Sequence, residues 1–343
     1  MASTYLVFVP GIMGSELFVP GPSPRFVWAD DLRTLIHTLL FEPWILEGHR
    51  YLEVGDVLSG PLGYQDLLSF LAQNNFHTKS NFLPFGYDWR QPTSTNATQL
   101  VSKLADILRS SSDEINFTLL GHSMGCLIIR AAVLFPGAPV QAIQKIIEIA
   151  PPHRGAAKAF RQLNQVPDLH PIVCLIRKRF PHLAQRIDDA FSVVTRSLPG
   201  LWDLLPPEDE RILEEIATGS LTAALGWKGW TAAGDVSGEV TKDRYELYAR
   251  IFANGWPVVI DSALVVGTGL STECGFLYSG NPPFTVNFTK PKTTDDGDGT
   301  VLSSSAEWLI SAHPTRRCPP VIQEHHALTR NTTVLNWVLS EIP

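Results

Sequence analysis

The segment Gly121-His122-Ser123-Met124-Gly125 has the residue types of a nucleophilic serine turn. A serine hydroxyl is a weak nucleophile at neutral pH, so it needs a neighbouring base, an acid that orients the base, and donors for the oxyanion. The two glycines of Gly-x-Ser-x-Gly let backbone approach a sharp strand-to-helix turn. Five letters alone are a weak signal, but apolar residues 115–120 precede them and residues 126–133 follow as an apolar helix. The pattern therefore predicts Ser123 as a nucleophile.

Three carboxylates in a glycine-rich turn, Asp295, Asp296 and Asp298, are candidates for the orienting acid. Alternating aspartates also suit calcium, and a loop counted from Asp296 places Glu307 at position twelve. The region does not clearly offer the flanking helices of an EF-hand. We predict Asp298 as the acid, keep Asp296 as the alternative, and expect no metal.

The base should follow near the C-terminus, where His325 and His326 lie before the last predicted helix. The order Ser123, Asp298, His325 is the Ser-Asp-His order of α/β hydrolases. His326 remains the alternative base. Adjacent histidines usually point apart, so a metal site is disfavoured and no cofactor is expected.

Two backbone N–H groups must hold the oxyanion, one of them from the residue after the nucleophile. Met124 supplies the first. The second should come from the glycine-bracketed loop 10–15, where Ile12 is the predicted donor. A phosphate-binding loop is a poorer interpretation, because no helix-opening GxGxxG or GK[ST] follows.

The elements that must position these residues alternate between short apolar runs and helical stretches. Strands are predicted at 5–9, 82–85, 115–120 and within 143–150, and helices at 64–74, 96–108 and 126–133. The sheet resumes at 258–266, with further strands at 284–288 and 321–323 and a last helix at 332–342. This order predicts the α/β class, a doubly wound and mostly parallel sheet with helices on both faces.

The alternation breaks between residues 156 and 245, which hold helical pieces and Pro/Trp-rich turns. We interpret that stretch as an inserted cap or lid. Residues 1–343 are then a single α/β-hydrolase domain whose core spans about 1–155 and 246–343.

Composition limits the classes of function. A net charge of −7 without a Lys/Arg-rich run disfavours nucleic-acid binding. No apolar run approaches the ~18 residues of a membrane span, and the N-terminus lacks the features of a signal peptide. A cytoplasmic location is expected as the sequence stands, and a secreted one if a leader was removed. Cys126 should be a buried thiol, whereas Cys274 and Cys318 could pair in an oxidising compartment.

A series of collinear motifs resembles the lecithin:cholesterol acyltransferase-like family, which includes lysosomal phospholipase A2 and phospholipid:diacylglycerol acyltransferases. The motifs are residues 9–17, 87–90, 121–125, 197–199 with 204–206, 267–269, 297–301 and 324–325. The resemblance implies Asp298 as the acid before x-Thr-Val, His325 as the base and Ile12 as the second oxyanion donor. The chain departs from the family in having no cysteine before Cys126, so a disulfide-held N-terminal lid is absent or held differently.

Family members act on lipid esters, either by hydrolysis or by acyl transfer to an alcohol. We therefore expect a serine ester hydrolase of the lipase, phospholipase or carboxylesterase type, working through an acyl-enzyme on Ser123. An acyl ester or lipid is the expected substrate, and the apolar residues 39–46 could touch a lipid surface. Three alternatives stay open: an acyltransferase, an amide, lactone or thioester hydrolase on the same triad, and a non-catalytic binding protein of this fold.

Overall fold

The computed structural model of the protein describes most of the chain. The described residues are 3–61, 63–164, 178–183, 185–186, 189, 194–207, 212–215, 260–279, 285–309 and 315–343. Their strands are β1 (Ser3–Val9), β2 (Ser15–Val19), β3 (Arg25–Trp28), β4 (Glu53–Val57), β5 (Phe82–Pro84), β6 (Ile115–His122), β7 (Ile143–Ile149), β8 (Leu213–Glu215), β9 (Asp261–Val265), β10 (Thr272–Ser279), β11 (Thr285–Thr294) and β12 (Thr315–Arg317).

Along the chain, most helices come between strands of the central sheet. They are α1 (Leu32–Phe41), α2 (Gln65–Gln73), α3 (Thr93–Ser110), α4 (Met124–Val133), α5 (Ala157–Asn164), α6 (Pro199–Trp202), α7 (Ser303–Ala306) and α8 (Thr332–Glu341). In the described ranges, no helix is both long enough and apolar enough to span a membrane.

A six-stranded sheet with the order β12-β9-β7-β6-β1-β5 forms the centre, and all its neighbouring strands are parallel. Side chains of β1 alternate between two cores: Val7 and Val9 pack with α3 and α4, whereas Leu6 and Phe8 pack with α2 and α8. A strand buried on both faces reads as a continuous apolar run, which is why β1 was recognisable. The predicted doubly wound α/β fold is confirmed.

Two smaller sheets lie outside this centre. Strands β3-β2-β4 form an antiparallel sheet after the first loop. Strands β11-β10-β8 form a mixed sheet before the Asp-rich turn, in which β10 pairs antiparallel with β11 and parallel with β8. Residues 285–288 of the strand predicted at 284–288 belong to β11, which pairs antiparallel with β10 and not with the central sheet.

The predicted last strand at 321–323 is wrong. Val321 makes only an isolated bridge to Gly267, and the outer strand of the central sheet is instead β12, which pairs with β9. The sequence Thr-Arg-Arg of β12 has no apolar pattern because an edge strand can form its backbone bonds while its side chains face solvent. Cys318 follows this strand as a free thiol, so the pair with Cys274 is not formed.

Most of the predicted cap, residues 156–245, lies outside the described residues. The described parts hydrogen-bond to one another and to the core. The Ala156 N–H donates to the Leu204 carbonyl (2.9 Å), and the Gly200 N–H donates to the Arg90 carbonyl (3.1 Å). An added Cβ at Gly200 would lie 2.4 Å from the Trp89 carbonyl oxygen, so this approach requires glycine.

Candidate active site

Ser123 occupies a sharp turn between β6 and α4. Its φ of 53° and ψ of −125° are unfavourable for a non-glycine residue, a strain of about 1–3 kcal/mol that tightly packed surroundings can maintain. The surroundings here are tight, because an added Cβ at Gly125 would lie 2.2 Å from the Val9 carbonyl oxygen. The Ser123 N–H is held by the Ile149 carbonyl of β7 (2.9 Å). The end of β6 and the start of α4 thus present the hydroxyl in a fixed position.

Three side chains from distant parts of the chain meet at this turn. His325 Nε2 lies 2.8 Å from Ser123 Oγ, and His325 Nδ1 lies 2.7 Å from Asp298 Oδ2. A carboxylate oxygen accepts, so Nδ1 carries the imidazole proton and Nε2 is left to accept the serine proton. This is the geometry of a nucleophile, a general base and an orienting acid.

Asp298 is fixed by its own loop and is almost fully buried. Its Oδ1 accepts from the backbone N–H groups of Thr300 (3.0 Å) and Val301 (2.7 Å), and its carbonyl accepts from the His325 N–H (3.0 Å). An added Cβ at Gly267 would approach the Asp298 Cβ to 2.6 Å, so the glycine makes room for the acid.

The alternative acid and base lie elsewhere. Asp295 and Asp296 are exposed, whereas Asp298 is only 2% exposed. The His326 ring bonds to a different group, since its Nε2 lies 3.1 Å from the Gly63 carbonyl oxygen. Burial, reinforced by the nearby Arg330, lowers the pKa of His326 to about 4. The structure therefore brings Asp298 and His325, not Asp296 and His326, to Ser123.

The loop after β1 is tied down on both sides of Ile12. Four aromatic side chains hydrogen-bond to its backbone. Three of them donate to carbonyl oxygens: Tyr87 Oη to Pro10 (2.9 Å), Trp28 Nε1 to Met13 (2.9 Å) and Trp89 Nε1 to Ser15 (3.2 Å). The fourth, Tyr64 Oη, accepts from the Gly11 N–H (2.7 Å). The loop also touches Ser123, since an added Cβ at Gly11 would lie 3.1 Å from the Ser123 Cβ.

The two predicted oxyanion donors are left available by this arrangement. Among the hydrogen bonds of the described residues, none uses the N–H of Ile12 or of Met124. Met124 is the first residue of α4, and the first N–H groups of a helix lack partners within the helix. Fixed, unused donors next to a nucleophile suit a developing negative charge without further reorganisation.

A buried hydrogen-bond chain links this loop to the triad histidine. Tyr64 Oη accepts from Gly11, so its single proton goes to His122 Nδ1 (2.8 Å), and His122 Nε2 then donates to the His325 carbonyl (3.2 Å). Burial, together with the neighbouring His325 and His326, holds the pKa of His122 well below its usual value. The neutral His122 therefore connects the loop after β1 (residues 10–15, the predicted oxyanion loop) to the backbone of the predicted base.

A cavity of about 540 Å³ opens over the triad. Its apolar lining includes Ile12, Ala156, Ala159, Leu201, Leu204 and Val301. Its polar lining, apart from the triad, includes Lys158, Gln162, Lys178, Glu324 and His326. Such a mostly apolar pocket with a few polar groups is typical of a small-molecule site.

The sheet, the strand-to-helix turn and the order of the triad define an α/β-hydrolase fold. The family model for lecithin:cholesterol acyltransferase matches residues 46–183, a segment that contains the Ser123 turn. The resemblance to that family is thereby confirmed. The match covers less than half of the chain and does not extend to Ile12, Asp298 or His325.

A solved structure shows the same fold. A chain of the Tle4–Tli4 complex matches with a TM-score of 0.66 and 11% identity, over 100% of this chain and 98% of that one. The mature lipase BlEst2 of Bacillus licheniformis matches with a TM-score of 0.43 and 13% identity, over 99% and 92%. Phospholipase PlaB of Legionella pneumophila matches with a TM-score of 0.38 and 13% identity, over 89% of this chain and 44% of that one. The last two similarities are too low to support an argument, and no curated protein sequence matches.

Sequence reasoning missed Tyr64, Lys158 and Gln162. Tyr64 directly precedes α2 and carries no motif, so nothing in the sequence relates it to Gly11 or His122. Lys158 and Gln162 are spaced one helical turn apart, which is a usable signal only once α5 is known to line the cavity.

Proposed function

We propose that the protein is a serine hydrolase that cleaves acyl esters through a covalent acyl-enzyme on Ser123. The observation that supports this most directly is the Ser123–His325–Asp298 chain, with distances of 2.8 and 2.7 Å. The mostly apolar cavity above Ser123 suits an acyl chain.

The proposed reaction has two steps. Ser123 Oγ attacks the acyl carbonyl carbon while His325 Nε2 takes its proton, and the same proton then passes to the departing alkoxide as the alcohol leaves. The carbonyl oxygen becomes an oxyanion that the N–H groups of Ile12 and Met124 stabilise. A water molecule, deprotonated by His325, then attacks the acyl-enzyme and releases the acid and free Ser123.

A fluorophosphonate probe tests this directly. We expect the wild type to be labelled with one equivalent and Ser123→Ala to remain unlabelled, with kcat on a 4-nitrophenyl ester reduced by at least about 10⁴-fold. Ser112→Ala, a change at an exposed serine, is the control and should leave labelling intact. An unlabelled wild type would contradict the proposal and favour a binding protein, and undiminished labelling of Ser123→Ala would contradict Ser123 as the nucleophile.

The identity of the acceptor in the second step is a separate question. Transfer to an alcohol differs from hydrolysis only in which hydroxyl reaches the acyl-enzyme. Product analysis in the presence of glycerol measures the partition between free acid and new ester. We expect free acid to dominate, and a majority of new ester would identify an acyltransferase on the same triad.

A further inference from the structure

Helix α5 forms a wall of the cavity and is held by its opposite side. Phe160 packs against Phe276 and Phe288 of the β10–β11 hairpin, with ring centroids 5.8 and 5.5 Å apart. Arg161 Nη2 pairs with Glu273 Oε1 at 2.6 Å. These contacts fix which residues of α5 line the cavity, namely Lys158, Ala159 and Gln162.

Gln162 has an unsatisfied side-chain amide. The residue is fully buried, and in the part of the chain that the structure describes neither its Nε2 nor its Oε1 has a hydrogen-bond partner. Its backbone is satisfied, because its carbonyl accepts from Thr195 Oγ1 (3.3 Å). A buried amide without partners is destabilising, so its presence at a substrate cavity points to a partner supplied by a ligand.

Lys158 brings a cation to the same wall, one turn before Gln162. Its side chain is half-buried, and in the described ranges no carboxylate lies within ion-pair distance. The other charges at the cavity do not neutralise it: Asp298 is engaged by His325, and Glu324 is exposed. A cation in a partly desolvated cavity attracts an anion more strongly than the same cation in bulk water.

We propose that Lys158 and Gln162 form a subsite for an anionic group, so that the preferred substrate is an ester bearing a carboxylate or phosphate beside its scissile acyl group. The Lys158 ammonium and the Gln162 Nε2 would donate to the anionic oxygens, and Gln162 Oε1 would accept from a hydroxyl or N–H of the same substrate. This inference rests on the proposed function, because it names the substrate class of that site.

Matched substrates test the charge preference and its source. On the acyl side, the 4-nitrophenyl half-esters of succinate, glutarate and adipate are compared with the neutral butanoate, valerate and hexanoate esters. On the alcohol side, butanoyl-glycerol-3-phosphate is compared with monobutyrin. We expect at least a tenfold higher kcat/KM for the anionic member on one of the two sides, with the advantage shrinking at high salt. Equal or lower values for every anionic member would overturn the proposal.

Two variants connect the preference to these side chains. Lys158→Met should reduce the preference to below threefold, whereas Lys103→Met, a change at an exposed lysine of α3, should leave it unchanged. Gln162→Leu should raise KM for the preferred anionic ester about fivefold or more, with kcat little changed and Tm unchanged or higher. An undiminished preference in Lys158→Met, or a Tm several degrees lower in Gln162→Leu, would show that the residue serves the fold and not a ligand.

Binding without turnover separates this inference from the proposed function. Calorimetry with Ser123→Ala compares glutaric acid monoanilide with valeranilide, an anionic and neutral pair that cannot be turned over by this variant. Tighter binding of the anionic member, lost in the additional Lys158→Met variant, supports the subsite even if ester cleavage fails. Equal binding together with fluorophosphonate labelling of the wild type would remove the subsite and leave the hydrolase proposal intact.

Discussion

The two sides of the cavity differ in whether their polar side chains are hydrogen-bonded within the protein. On the triad side, Asp298, His325, Tyr64 and His122 all hydrogen-bond within the protein, and the N–H groups of Ile12 and Met124 are unused among the described residues. On the α5 side, the amide of Gln162 has no partner among the described residues. The polar groups of the triad side are thus oriented by the protein itself, whereas the α5 side presents an amide that no described residue orients.

This difference corresponds to two roles of polar groups in an active site, namely proton transfer and substrate selection. Groups that move protons must be oriented beforehand, since reorganising them during the reaction would add to its barrier. Groups that select a substrate can remain unsatisfied in the free protein, at a cost to stability, because the correct ligand then gains the hydrogen bonds. Mutations on the triad side should therefore lower kcat, and mutations on the α5 side should raise KM.

The largest effect is expected for Asp298→Asn on the triad side. An amide can donate to His325 Nδ1 and thereby favour the tautomer that carries its proton on Nε2, which cannot accept from Ser123. We expect kcat to fall by about 10³–10⁴-fold with little change in KM. Asp296→Asn, at the exposed alternative acid, should retain wild-type kcat. A loss in Asp296→Asn comparable with that in Asp298→Asn would contradict the assignment.

A smaller effect is expected for Tyr64→Phe, which removes the hydroxyl between Gly11 and His122. The Gly11 N–H loses its acceptor, so the free energy of unfolding should fall by about 1–3 kcal/mol. The less firmly held oxyanion loop should lower kcat by about 10–100-fold, less than the loss of an entire donor, while KM changes less than about threefold. Ester kinetics and urea unfolding measure both quantities.

Tyr51→Phe, at a residue that is 77% exposed, is the matched control and should change neither kcat nor the free energy of unfolding. The free energy of unfolding should therefore fall in Tyr64→Phe, whereas we expect no loss of stability in Gln162→Leu. Equal losses of stability in Tyr64→Phe and Gln162→Leu would remove the distinction between the two sides.

The smallest effect concerns stability at acid pH. Burial and Arg330 lower the pKa of His326 to about 4, below the ~6.5 of an unperturbed histidine. Between these values the unfolded state binds the proton more readily than the folded state, so this contribution is complete above about pH 6.5 and is lost as the pH falls toward 4. Between pH 7 and pH 5, the free energy of unfolding should fall for both proteins, and the fall should be smaller in His326→Gln by on the order of 1 kcal/mol. Urea unfolding at the two pH values measures this difference. Identical losses would contradict this contribution.

The alternation of apolar runs and helical stretches was sufficient to predict the central sheet, because buried parallel strands are apolar over their whole length. The same rule failed at β12, an edge strand of polar residues, and it could not assign β11 to a separate sheet. Pairing between strands depends on which surfaces meet in three dimensions, and short windows of sequence do not contain that information.

For the site, the sequence determined the residue types that can react. The strand, the glycines and the helix that form the turn around Ser123 are contiguous in sequence, so a short window of sequence is enough to predict this turn. The choice of Asp298 over Asp296 and of His325 over His326 was decided by tertiary structure, because only the fold sets which member of each neighbouring pair faces the serine.

Tertiary structure alone revealed Tyr64 as the link between Gly11 and His122, and the amide of Gln162 that has no partner in the described part of the chain. Hydrogen bonds between residues far apart in sequence are set by the packing of whole elements. The sequence thus determined which reactive residue types the chain carries, and the tertiary structure decided which of them meet at Ser123 and which polar groups line the cavity beside them.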